Sequence, residues 1–444
     1  MAYIRRFAVP AWLIPMLYTV MSIIAGFVLP RIEQGHFPRY THTMSVSSAL
    51  AFFSSIGSGM MALTGIVFAI AFVVVQFSSL AYSPRLVIMF ANSRTQYHAL
   101  GIFFATFIYS LVALYWTDRG GSGTVPYFST MLVMVLLTVS MVAFARLIQS
   151  LNHLEIHNVL RVIGGKGREV IGDMFPLKMA SGNAQAGETI AALTHGPLTQ
   201  TVTYSGEPRV IARFDLGVLV RLAQSTEAVI AIQCGVGETL VEDAVLFHVY
   251  GAKQQLPRET LMRAVRRATS RTFEQDPKYA IRLLVDIAIR ALSPAIYDPT
   301  TAVQALDQIE DLLRRLGCRQ LDAGCAWDSA GVVRVTFPVS TWQDYLALSF
   351  DEIRQFGGSS VQVLRRLRAA LVGLENTIPV PQRRDAVSRY LDHLNLGIGS
   401  SHFDDQDKAV AFEEDRQGLG LSRKRPARAL AAAAEAQDPV AAES

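Results

Sequence analysis

The residues best suited to chemistry lie between positions 271 and 302. They read Arg271-Thr272-x-x-Gln275-Asp276-Pro277, then Asp286 and Arg290, then Ser293-Pro294 and Asp298-Pro299-x-Thr301-Ala302. Carboxylates, guanidiniums and an amide at this density serve one of two ends. They line a polar pocket for a small ligand or a subunit contact, or they cap and pair helices. The second use has a place for every group. Asp276-Pro277 and Asp298-Pro299 each offer a capping acid followed by proline at the first helical position, and Asp286 and Arg290 have the i, i+4 spacing of an ion pair. The pocket requires instead that the two Asp-Pro turns meet the arginines.

Other chemistries lack their residues. No nucleophile stands with a base, and Gly164-Gly165-Lys166-Gly167 lacks the G-x-x-x-x-G-K-[ST] arrangement of a phosphate loop. His153 and His157 are four apart, but Glu155 projects to another side of a helix and no third ligand is evident. The expectation is no catalytic residue, no metal and no cofactor. An enzyme is the least favoured class.

The constellation sits in a region whose pattern is helical from Pro257 onward. There Arg263, Arg266, Arg267 and Arg271 fall at helix-neighbour spacings, a strip suited to anionic lipid or partner carboxylates, or simply a solvated charged face. Before it, residues 200–255 read as a small β-rich module. Thr201–Tyr204, Val210–Ala212, Val229–Gln233 and Ala244–Tyr250 suit strands, and Leu216–Ala223 suits a short helix. The stretch Val236–Ala244 is similar to the hairpins of lipoyl-like and barrel-sandwich folds. It has no lysine to carry a prosthetic group, so assembly rather than a swinging arm is expected. The helical domain is expected over 256–395 and a poorly ordered, alanine-rich tail over 396–444. Residues 153–199 read as a stalk and linker that bends at the glycine cluster.

Ahead of all this the chain is apolar. Hydrophobic residues make up 51% of the 444 and charged residues 18%, and the excess is concentrated before residue 152. A bilayer core requires roughly 20 apolar residues per helix, and 8–30, 50–80, 98–117 and 127–150 qualify. The run from Phe7 to Pro30 carries no charge and is too long for a cleaved signal. The first 152 residues therefore read as a four-helix transmembrane domain. Arg5, Arg6, Arg85, Arg94, Arg146, Arg161, Lys166 and Arg168 flank one side, against Arg31, Arg39 and Arg119 on the other. The positive-inside rule places both termini in the cytoplasm. Three cysteines without metal-ligand spacing read as reduced thiols, in keeping with a cytoplasmic α+β region after the spans. A net charge of +4 gives no sign of nucleic acid as a partner.

The second span has two unlike faces. Ser54, Ser58, Ala62, Gly65, Ala69 and Gln76 recur along one side, with Ile56, Leu63, Ile70 and Phe77 opposite, where lipid contact is expected. A small, polar stripe packs against a neighbouring helix or faces a water-filled path. Gly101 and Ala105 form a second small pair in the third span, suited to packing. An oligomeric channel or transporter with the stripe lining its path is one expectation. A membrane-anchored sensor or scaffold binding a ligand or protein partner is the other.

Ser83-Pro84-Arg85, the Arg271 to Pro277 element, and Ala291-Leu292-Ser293-Pro294 leading to Asp298-Pro299-x-Thr301-Ala302 occur in this order across roughly residues 10–360. Together they resemble the bacterial predicted membrane protein family called domain of unknown function 2254. The resemblance implies an inner-membrane location and no particular activity. That family carries asparagine before the second Asp-Pro, where this chain has Tyr297.

Overall fold

Four long helices are separated by short connections in the first third of the computed structural model, which describes residues 12–36, 45–81, 94–117, 125–151, 156–175, 196–321 and 324–419. They are α1 (Leu13–His36), α2 (Val46–Ala81), α3 (Arg94–Trp116) and α4 (Tyr127–Leu151). Each is long and apolar enough to cross a bilayer, over Leu13–Glu33, Val46–Ile70, Thr95–Trp116 and Tyr127–Gln149. The expected spans overlap all four, and the second, 50–80, matches the helix Val46–Ala81 while running past the span's end at Ile70. Helices are the form such segments must take, because lipid offers no partner to backbone polar groups. The chain divides into two units, Met1–Asn158 and Val159–Ser444.

In the first unit α3 is central, with α1, α2 and α4 packed on it. Gly101 and Ala105 serve that contact as expected. A Cβ on Gly101 would lie 2.6 Å from Tyr18 of α1, and the Ala105 carbonyl accepts a hydrogen bond from Ser22 Oγ at 2.6 Å. Phe53, Phe103 and Tyr109 fill the interior, fully buried. Interior hydroxyls satisfy one another: Thr106 and Ser140 lie 2.9 Å apart, and Tyr109 donates to Ser129 at 3.1 Å.

One acid near the end of α1 has a defined task. Glu33 lies in the last turns of α1, 1% exposed, and its carboxylate accepts from the backbone N–H groups of Tyr127 and Phe128. α4 has no acid in its own first turn, so α1 supplies the anion that the positive end of a helix dipole favours. Beside it Arg31 stacks over Trp116, 5.6 Å from the ring centroid.

Most of α5 (Ile156–Met174) belongs to the second unit, which begins at Val159. The bend expected at its glycine cluster is absent, and the helix is continuous. The glycines serve close approach instead. A Cβ on Gly167 would come within 2.9 Å of Ala280 and Leu312, and one on Gly164 would strike Gln308. Arg168 fixes the register with hydrogen bonds to Asp311 at 2.9 Å and Gln308 at 3.2 Å.

Two sheets follow. One has the order β1-β5-β3-β8-β7, from β1 (Leu198–Thr203), β3 (Val229–Ile232), β5 (Val245–Tyr250), β7 (Cys325–Trp327) and β8 (Val333–Thr336). The other is β4-β2-β6, from β2 (Arg209–Phe214), β4 (Thr239–Leu240) and β6 (Val265–Ala268). With α6 (Leu216–Ser225) they share one core, in which Ile211, Leu219, Ile230, Phe247 and Val335 are buried together. The expected strands are present, but the sheet is completed from beyond residue 255. β8 pairs in parallel with β3, Ile230 opposite Val335.

The helical expectation after Pro257 holds for α7 (Arg258–Arg263) and again from Pro277 onward, but not directly after α7. Val265–Ala268 is strand, paired with β2, because Val265 enters the sheet core. The helices proper are α8 (Pro277–Ala291), α9 (Pro299–Gly317), α10 (Trp342–Phe356), α11 (Val361–Thr377), α12 (Pro381–Gly399) and α13 (Asp405–Ala411). The fold thus continues past 395. Residues to Leu419 dock on the bundle, with Gln362 donating to the Gly418 carbonyl at 2.6 Å, so 396–419 is no loose tail. The remainder, 420–444, lies outside the described residues, as do Ser83-Pro84-Arg85 and His153.

Candidate functional site

The constellation is separated by its own helices. Asp276 precedes the first turn of α8, and Asp298 precedes α9 just beyond the other end of α8. Fifteen residues of helix set those ends about 22 Å apart. The two Asp-Pro turns therefore do not meet, and the pocket that required their meeting does not form.

The two turns also do different work. Asp298 caps as expected, accepting from Thr301 N at 3.1 Å and Thr301 Oγ1 at 2.6 Å. Asp276 occupies the same N-cap position without a side-chain cap bond, and its carboxylate pairs with Arg271. Asp276 Oδ1 and Thr272 Oγ1 are buried with no hydrogen-bond partner among the described residues. The backbone of Gly237 presses directly on the Arg271–Asp276 pair. A Cβ there would sit 2.5 Å from Asp276 Oδ2 and 2.6 Å from Arg271 Nε, and its φ of +88° suits glycine in any case. Beside it Gln275 Oε1 accepts from the Phe214 N–H at 3.0 Å. Arg271, Gln275 and Asp276 thus fasten the start of α8 to β2 and to the turn before β4.

The other members have partners of their own. Asp286 binds Arg282, 2.7 Å from its Nε, and Arg282 also reaches Glu352 of α10 at 2.9 Å. That guanidinium holds the Glu352 carboxyl below its ordinary range. Ser293 Oγ donates to the Arg290 carbonyl at 2.7 Å, closing the end of α8. The arginine strip disperses once β6 is strand. Arg263 pairs with Glu259 at 3.0 Å, Arg266 with Glu274 at 3.2 Å, and Arg267 lies over Tyr204 at 5.7 Å.

The second span behaves differently. Ser54, Ser58, Ala62, Gly65, Ala69 and Gln76 all lie exposed on the outside of the four-helix unit. Positions where a Cβ would stand at Gly59 and Gly65 have nothing within 4 Å. The opposite face is the reverse of its expectation. Ile56 and Leu63 pack inward against Met60, Phe103 and Leu147 rather than facing lipid, and only Ile70 remains exposed. The side chain of Phe77 lies outside the described residues. The small residues of the stripe are therefore exposed, with open space around Gly65.

The sequence profile described as predicted membrane protein (DUF2254) matches residues 10–372. An uncharacterized protein of Mycobacterium bovis and one of Mycobacterium tuberculosis are each 25% identical over 369 residues, covering 80% of this chain and 69% of theirs. No solved structure matches.

Proposed function

We propose, since the chain belongs to the DUF2254 family of predicted membrane proteins, that several copies assemble in the bacterial inner membrane as a channel or transporter. The second spans face one another across a shared path. The observation that carries this reading is the outward small face of α2. Ser58, Ala62, Gly65 and Ala69 on that face, flanked by the exposed Met61, Phe68 and Phe72, suit close approach of a second helix or contact with water. The filled interior of the four helices supports a path between copies rather than within one. The basic flanks of the spans favour cytoplasmic termini, which makes Val159–Ser444 the cytoplasmic part.

A second reading is a sensor or scaffold anchored by the spans, favoured by the independently packed Val159–Ser444 unit. Reconstitution separates the two. The native chain in liposomes should pass ions, and Gly65→Leu or Gln76→Leu should reduce that flux at least fivefold. Failure of the native chain to pass any ion, with or without membrane tension, would support the scaffold.

A further inference from the structure

We infer that copies of this chain join through a charged contact in the second unit, the arginine face of β2 and β6 on one copy taking the aspartates around the start of α13 on another. The inference rests on the assembly proposed above and names a contact within it. Arg213 of β2 stands directly opposite Arg266 of β6, and residues paired in antiparallel strands share a face. Both are exposed. Like charges in this position destabilise a strand pair, and the chain offsets only one of the two. Arg266 reaches Glu274 at 3.2 Å, while Arg213 has no hydrogen-bond or ion-pair partner among the described residues. The neighbouring sequence adds to the excess, with five arginines and one acid from Arg258 to Arg271.

The opposite charge collects elsewhere in the same unit. Six acids and two bases lie from Asp404 to Arg416. Glu413 is turned to Arg365, 3.8 Å away, and Glu414 to Arg416. Asp404 caps α13, accepting from the Asp407 N–H at 2.7 Å. The carboxylates of Asp404, Asp405 and Asp407 are exposed, with no cation partner among the described residues. Phe412, 39% exposed, adds apolar surface just past the end of α13.

The two sites do not meet within one chain. Phe214, next to Arg213, is bound by Gln275 at 3.0 Å, so the arginines lie at the start of α8. The aspartates lie at its other end. Glu375 meets Ser388 and Arg368 meets Asn395, so α12 runs back along α11 and finishes beside its start. α11 is parallel to α9, with Arg366 on Asp307 at 2.7 Å and Ile378 against Gly317, which sets the starts of these two helices level. α9 begins just past the end of α8, and Gly418 packs there on Val303. The 15 residues of α8 therefore hold the two charges roughly 20 Å apart, beyond the reach of an ion pair. A second copy placed head to tail brings them together, and complementary charge of this kind selects which faces meet.

The test is self-association of the full chain in mild detergent. The native chain should form oligomers that loosen about tenfold as salt is raised. Arg213→Glu with Arg266→Glu makes both faces acidic, and Asp405→Arg with Asp407→Arg makes both basic. Each of these chains alone should associate about tenfold more weakly than the native one, and a one-to-one mixture of them should regain native association. Arg213→Gln with Arg266→Gln should weaken association as well, and gives the same reading where a reversed chain fails to fold. Association that survives both reversals, or a mixture that stays dissociated, would overturn the contact and leave the arginine face to an anionic partner other than this chain. Association lost in Gly65→Leu but unaffected in the charge variants would overturn it too, while leaving the reading of α2 intact.

Discussion

Gln275 holds both backbone polar groups of Phe214, accepting from its N–H at 3.0 Å and donating to its carbonyl at 3.4 Å. A side-chain amide here does the work of a neighbouring strand at the end of β2. Gln275→Leu leaves both groups without this partner and should lower stability by about 2 kcal/mol. Thermal unfolding in detergent, followed by circular dichroism, checks this.

Two glycines of opposite surroundings should respond oppositely. Gly237→Ala meets both a positive φ and the Arg271–Asp276 pair, and should cost about 3 kcal/mol. Gly65→Ala adds a methyl in mid-helix where nothing lies within 4 Å, and should stabilise the isolated chain by about 0.5–1 kcal/mol. Any loss from Gly65→Ala should emerge in assembly, read by oligomeric state in mild detergent.

The two Asp-Pro turns look alike in sequence and differ in the fold. Asp298→Ala removes a cap and should cost about 1 kcal/mol. Asp276→Ala removes the buried partner of Arg271 and should cost about 2 kcal/mol. Equal losses in chemical denaturation would contradict the separate roles assigned to them.

Tyr297 stands where the family resemblance implies asparagine, and its φ of +42° gives that preference a physical basis. Asparagine tolerates the left-handed region better than a bulky residue. Tyr297→Asn should stabilise the chain in detergent by about 1 kcal/mol, visible as a rise in Tm.

The spans were legible because a bilayer demands long apolar helices and little else does. Which face of α2 looks inward was not, because lipid is as apolar as a helix interior and Ile56 suits either. The strand Val265–Ala268 was hidden by arginines at helical spacing, and the β3–β8 pairing by a long intervening chain, since neither follows from local pattern. Gly164 and Gly167 looked like a hinge because sequence shows a glycine without showing what approaches it. The Asp-Pro positions were legible as caps, and only the helix between them revealed their separation.

The central claim, that the small face of α2 looks onto a water-filled path between copies, is tested most directly by thiol accessibility in reconstituted membranes. The full chain with Cys234→Ser, Cys318→Ser and Cys325→Ala would carry Ser58→Cys or, on the exposed outer face of α4, Val135→Cys. A charged, membrane-impermeant thiol reagent should modify Ser58→Cys at least tenfold faster than Val135→Cys. Equal inertness of the two would show that the face of α2 meets lipid or another helix and no aqueous path.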